Sequence, residues 1–366
     1  MSINPINSSN GVVCYLPKER FGYFGWPSIA RQDDGTLLVV ASGLRAAHVC
    51  PWGKTVICRS RDNGVSWSYP QVINDTPMDD RDAGIISLGG QRVAVTWFTS
   101  NTTVYHKPDP VSGWPAERRE EGVVLDSWEL PMCCRNIGSW IRISPDGYYW
   151  GEPMQAPVNT PHGFIVLKDG SWLYLGKRWD INRETAMHVH NSPIAAIRSR
   201  DEGRTWEMLG TVPLPEDCTN NAVHEPHVLE LRGGGLLGAI RTHKTEAPFR
   251  VTLTRSWDGG RSWTQAEEFG TIGSPPHLLR HSSGAIVMVY GYRLEPYGQR
   301  ARVSYDEGQT WDEEILLRTD GPCSDLGYPA SVELPGGKIM TIYYQALQHG
   351  DKPGILYTIW ELPAKV

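Results

Sequence analysis

No stretch of 18 consecutive apolar residues occurs in this 366-residue chain, so no segment reads as a membrane-spanning helix. Neither charge sign dominates: 35 Lys and Arg against 41 Asp and Glu leave a formal charge of −6 and a pI near 6.0. That balance argues against a partner held through phosphate contacts, so no nucleic-acid partner is expected. The seven cysteines are odd in number and lack paired spacing, which fits a reducing compartment better than a disulfide framework. The adjacent Cys133-Cys134 has no second pair to complete a zinc site, and neither a metal nor a cofactor is expected. Residues 1–17 show neither the basic nor the apolar region of a secretory leader, and cytoplasmic localisation is the expectation. Also missing are any linker rich in Pro, Gly and Ser and any helical periodicity longer than a turn or two. Residues 1–366 therefore read as one domain.

What the chain has is repetition. Ser60-Arg61-Asp62-Asn63-Gly64-Val65-Ser66-Trp67 recurs as Ser199–Trp206, Ser256–Trp263 and Ser304–Trp311. A copy one residue short runs from Ser144 to Trp150, and successive copies begin 84, 55, 57 and 48 residues apart. Ser and Asp side chains bond amides within a turn, Gly supplies its positive φ, and Trp anchors it on a neighbour. A second unit lies between these Asp boxes: an extended segment, a two-residue turn and a β-rich run. Its six turns are Asp34-Gly35, Gly89-Gly90, Asp169-Gly170, Gly233-Gly234, Ser283-Gly284 and Gly336-Gly337.

Six hairpins with five boxes predict an all-β, six-bladed propeller. Val12–Leu16 and Ile355–Trp360 both read as strands, and their pairing would close the ring without a free edge. Residues 100–136, with Pro108, Pro110 and Pro115, read as an insertion in blade two.

Aligning the copies on their turns brings corresponding segments to one rim. Before the turns stand Gly25-Trp26-Pro27, Asp80-Arg81-Asp82-Ala83, Pro161-His162-Gly163, His224-Glu225-Pro226-His227, Pro275-Pro276-His277 and Gly327-Tyr328-Pro329. The runs after them end in Arg45, Thr99, Arg178, Arg241, Arg293 and Gln345. Four arginines at one repeat position point to an anionic ligand, because a guanidinium fork binds carboxylates bidentately.

Boxes and rim together resemble the sialidase superfamily, six-bladed propellers of exo-acting neuraminidases and their relatives, over nearly the whole chain. The resemblance implies that Glu225 and Arg241 are a site carboxylate and a carboxylate-binding arginine, and that Arg300 is a second such arginine. It makes Tyr328 the nucleophile, assisted by Glu225; a phenol avoids the repulsion that a carboxylate would meet from an anionic sugar. In two places the sequence departs from that pattern. Gly25 stands where a first arginine is implied, leaving Arg45 or Arg81 to fill the clamp. The loop Arg45–Lys54 has no carboxylate where the acid is implied, so His48, Asp80 or Asp82 must protonate the leaving group, Asp82 being favoured.

The expected activity is thus exo-hydrolysis of a terminal, anionic sugar from a glycan or oligosaccharide, with a homo-oligomer left open. His162, His227, His277, Arg293 and Trp26 complete the substrate-binding set. Two alternatives stand beside it. One is a lyase acting on uronic acids, with a His or Tyr base drawn from His162, His227, His277 and Tyr328. The other is a carbohydrate-binding propeller without chemistry.

Overall fold

A computed structural model describes residues 7–105, 118–243 and 248–363. Among the described residues six antiparallel sheets form the blades, following one another in sequence, and a separate two-stranded sheet pairs Ile181–Asn182 with Met187–His188. Blade one is Tyr23–Arg31, Leu37–Arg45, Lys54–Ser60 and Gln71–Asn74, and blade two is Asp79–Ser87, Val93–Ser100, Gly138–Ser144 and Met154–Ala156. Blades four and five repeat this plan from Val223–Glu230 and Pro276–Arg280. Blade three departs from it: its inner strand is split into Val158–Asn159 and Ile165–Val166, both paired with Trp172–Arg178. Thr160, Pro161, His162 and Gly163, at φ +77°, occupy the break.

Blade six joins the two ends of the chain. Ser8–Cys14 pairs with Gly354–Trp360, setting Val12 opposite Leu356 and Cys14 opposite Ile355, so the expected closure is present. Between Val93–Ser100 and Gly138–Ser144 the described residues include two short α-helices, Arg119–Asp126 and Leu130–Asn136. Pro108, Pro110 and Pro115 of this segment lie outside the described residues.

Strand periodicity explains where the core sits. In Leu37-Leu38-Val39-Val40-Ala41 every side chain is buried, because both faces of the sheet meet another blade. Leu37, Val39 and Ala41 pack towards blade six with Met340 and Ile342, whereas Leu38 and Val40 pack towards blade two with Ile85 and Val95. Similar clusters fill the other four seams.

The boxes fasten those seams from outside. Ser199 Oγ donates to Asp201 Oδ1 (2.8 Å) and accepts from Gly203 N (2.8 Å), while Asp201 Oδ1 accepts from Thr205 N (2.9 Å). Gly203 lies at φ +81°, and an added Cβ would come within 2.9 Å of Trp172. The degenerate box keeps the motif, with Gly147 N donating to Ser144 Oγ at 2.7 Å.

Candidate active site

Four innermost strands carry the same irregularity near their starts. Register shifts fall between Gly25 and Ser28, Arg81 and Gly84, His224 and His227, and Gly327 and Ala330. Inside these bulges Trp26, Asp82, Glu225 and Tyr328 adopt left-handed backbone, with φ of 52°, 52°, 49° and 52°. Such a conformation costs a non-glycine residue on the order of 1–2 kcal/mol. A bulge re-aims its side chain, and strain of this kind gathers at functional sites. Here it turns four side chains from blades one, two, four and six towards one another.

Tyr328 and Glu225 meet directly. The Tyr328 hydroxyl donates to Glu225 Oε1, and Arg241 Nη1 donates to Glu225 Oε2 at 2.6 Å and to the Tyr328 oxygen at 3.1 Å. Burial resists ionisation of Glu225, but Arg241 and the Tyr328 hydroxyl outweigh it and hold the carboxyl below its usual range. Burial, followed by the Glu225 charge, pushes the Tyr328 phenol well above its ordinary value against the pull of Arg241. The arrangement is therefore an ionised carboxylate accepting from a neutral phenol. Arg293 lies 5.7 Å from the Tyr328 ring centre, and Arg241 stacks on Phe249 at 4.0 Å. Phe249 and Arg293 also line an adjoining cleft of about 330 Å³.

Asp82 completes the set. It is buried, and its Oδ1 has no hydrogen-bond partner. Burial pushes its pKa up to about 7; Arg81 opposes this and the Glu225 charge adds to it. That suits a group that gives and takes a proton near neutrality. Asp80 also reaches about 7 through burial, but Thr76, Asn74 and Thr99 all bond it, a structural arrangement.

The other sequence candidates divide. Arg300 does not join Arg241. Its guanidinium donates to the carbonyls of Pro296 (2.9 Å) and Arg318, and it pairs with Glu314 at 3.4 Å. Side chains alternate along a strand, so Gln299 takes the face near Gly291 and Arg300 the opposite one. Nor does Arg45 replace the arginine missing at position 25. Arg45 is held by Asp79 through two hydrogen bonds of 2.6 and 2.9 Å, with both side chains fully buried. Arg81 lies 3.9 Å from the same carboxylate and 4.5 Å from the Trp26 ring centre. Trp26, 1 % exposed, is covered by these arginines and by His48, which leaves it little surface for a ligand.

His162, His227 and His277 come together in a separate layer. Their ring centres are 4.4 to 5.5 Å apart, and they line a cavity of about 410 Å³ with Ile29, Ile85 and Val332. Burial keeps all three neutral and takes His227 to about 3. Among the described residues no three His, Cys, Asp or Glu side chains are placed to share a metal ion.

Sequence reasoning missed Asp325, Tyr23 and Tyr344. Asp325 accepts from Tyr23 (3.0 Å to Oδ2) and Tyr344 (3.0 Å to Oδ1), and its Oδ1 lies 3.0 Å from His48 Nδ1. Burial opposes its charge, but His48 and the two phenols hold its carboxyl below the usual range. Tyr344 was one residue from detection, since the repeat alignment selects its neighbour Gln345.

Six blades closed by both chain ends, Asp-box turns and a bulged inner rim define an Asp-box propeller with a candidate site on its axis. The family model for the BNR repeat-like domain matches residues 126–341, and the chain belongs to that family. No curated protein matches the sequence. Among solved structures, a Dyadobacter fermentans protein of unknown function is 22 % identical with a TM-score of 0.75, covering 98 % of this chain and 100 % of its own. A Hadza microbial sialidase is 15 % identical (TM-score 0.66), with 98 % and 69 % covered. Trypanosoma rangeli sialidase is 14 % identical (TM-score 0.63), with 96 % and 59 % covered. At these identities the likeness is one of fold, shared with sialidases.

Proposed function

We propose that the protein is an exo-acting, sialidase-like glycoside hydrolase with Tyr328 as nucleophile. The observation carrying this reading is the contact of Tyr328, Glu225 and Arg241, drawn from blades four and six. As the Tyr328 oxygen bonds to the anomeric carbon, Glu225 takes the phenolic proton and Asp82 gives one to the departing glycosidic oxygen. Water, losing a proton to Asp82, then attacks the same carbon; the tyrosine oxygen leaves and recovers its proton from Glu225. A phenol with a raised pKa is a poor nucleophile alone, so proton removal must accompany attack. Relatives of this fold whose names say sialidase support the reading.

The lyase alternative gains less support. No hydrogen bond among the described residues joins His162, His227 or His277 to the Tyr328 network. The deciding experiment is a glycan panel read by mass spectrometry. A released saturated reducing sugar supports hydrolysis, an unsaturated product absorbing near ultraviolet light supports elimination, and binding without product supports a lectin.

A further inference from the structure

The site has one corner that offers acceptors where an acid-binding pocket needs donors. A Cβ added at Gly25 would lie 3.2 Å from the Tyr23 ring and 3.8 Å from that of Tyr344. A longer side chain there would run into the two phenols that bond Asp325. Of the arginines nearest by, Arg45 is locked by Asp79, and Arg81 rests against the Trp26 ring 3.9 Å from the same carboxylate. Asp325 itself is open to solvent, with 36 % of its side chain exposed. Its Oδ1 is crowded by Tyr23, Tyr344 and His48, whereas Oδ2 accepts only from Tyr23 at 3.0 Å. Tyr344 links this corner to the reaction centre, its ring centre being 6.0 Å from that of Tyr328.

We infer that Asp325 is a hydroxyl-binding carboxylate of the site, and that the sugar received is a neutral glycoside rather than a sialoside or uronide. This rests on the glycosidase reading above and names its substrate class. A carboxylate with an open lone pair accepts from a sugar hydroxyl and repels an acid placed beside it. The neighbouring phenols hold it in one orientation, so little ordering remains for the ligand to impose. The anionic sugar expected from the row of arginines gives way because Arg45 is paired with Asp79, Arg178 with Asp180 and Arg241 with Glu225.

The test uses paired methylumbelliferyl glycosides, in both anomers, differing in acidity: galactoside against galacturonide, glucoside against glucuronide, with the N-acetylneuraminide added. The wild-type protein should turn over a neutral member with kcat/KM at least about tenfold above every acidic one. Equal or better turnover of an acid overturns the inference. Asp325→Asn should raise KM for the neutral glycoside about tenfold, move kcat less and narrow the gap to the acids. An unchanged KM contradicts the assignment. Binding is read separately by saturation-transfer NMR on Tyr328→Phe with methyl galactoside and methyl galacturonate. Binding of the acid alone, or of neither, overturns the inference. Neutral binding with turnover surviving in Tyr328→Phe overturns the nucleophile assignment instead.

Discussion

Glu225 and Tyr328 stand 103 residues apart in the chain and share a hydrogen bond, with Arg241 Nη1 within 3.1 Å of both side chains. Each sits at a left-handed backbone position inside a bulge, so the fold bears strain to bring them together. Replacing Tyr328 with Phe should lower kcat by about a thousandfold or more, while Tm moves by only a few degrees. Glu225→Gln, which keeps shape but not charge, should cost roughly 10²–10⁴ in kcat. Both variants are checked with the substrate found in the panel and by thermal unfolding. Near-wild-type turnover in either contradicts its assigned role.

A pH dependence follows from Asp82. Its folded pKa of about 7 lies above the ordinary 3.8, so the folded state keeps a proton that the unfolded chain has lost. The stability contributed by Asp82 is therefore fully present below about pH 4 and is lost as pH rises towards 7, on the order of 4 kcal/mol for this group. Asp82→Asn should raise Tm more at pH 8 than at pH 4 and remove the alkaline fall in kcat near 7. A variant that keeps the wild-type profile assigns the proton to another group.

Two arginines separate the site from the scaffold. Arg293→Ala should raise KM severalfold, because this side chain lies over the Tyr328 and Phe249 rings. Arg300→Ala should leave KM unchanged and lower Tm, since its guanidinium serves backbone carbonyls of its own blade. Michaelis kinetics and calorimetry on both check this, and the reverse pattern restores Arg300 to the site.

Legibility in the sequence followed the strength of the repeat. Boxes and two-residue turns carry Gly, Asp and Trp at fixed offsets, so blade number and closure could be counted. The bulged residues Asp82, Glu225 and Tyr328 could be named because they precede those turns at matching positions. Which face a side chain takes was not legible, because a strand alternates with period two and an offset of one reverses the answer. That is why position 345 of the repeat alignment reads Gln345 although its neighbour Tyr344 faces the site, and why the position of Arg300 in the chain does not reveal that its side chain turns to the opposite face. Asp325 lies in a loop before an inner strand, where no periodic marker exists.

The histidine layer makes a separate prediction about stability. Both ring nitrogens of His162 are buried without partners, and burial lowers its pKa well below the usual 6.5. The unfolded chain thus binds a proton below about pH 6.5 that the folded state refuses, and stability falls as pH drops. His162→Phe should be neutral to stabilising at pH 7 and move acid unfolding to lower pH. Loss of stability at pH 7 would show that those nitrogens hold something the fold needs.

The nucleophile is tested most directly by trapping it. An activated 2-deoxy-2-fluoro glycoside of the preferred sugar should form a glycosyl enzyme that survives proteolysis, and mass spectrometry should place the added mass on Tyr328. Label on Asp82 or Glu225, or no label while the compound is turned over, would contradict the mechanism.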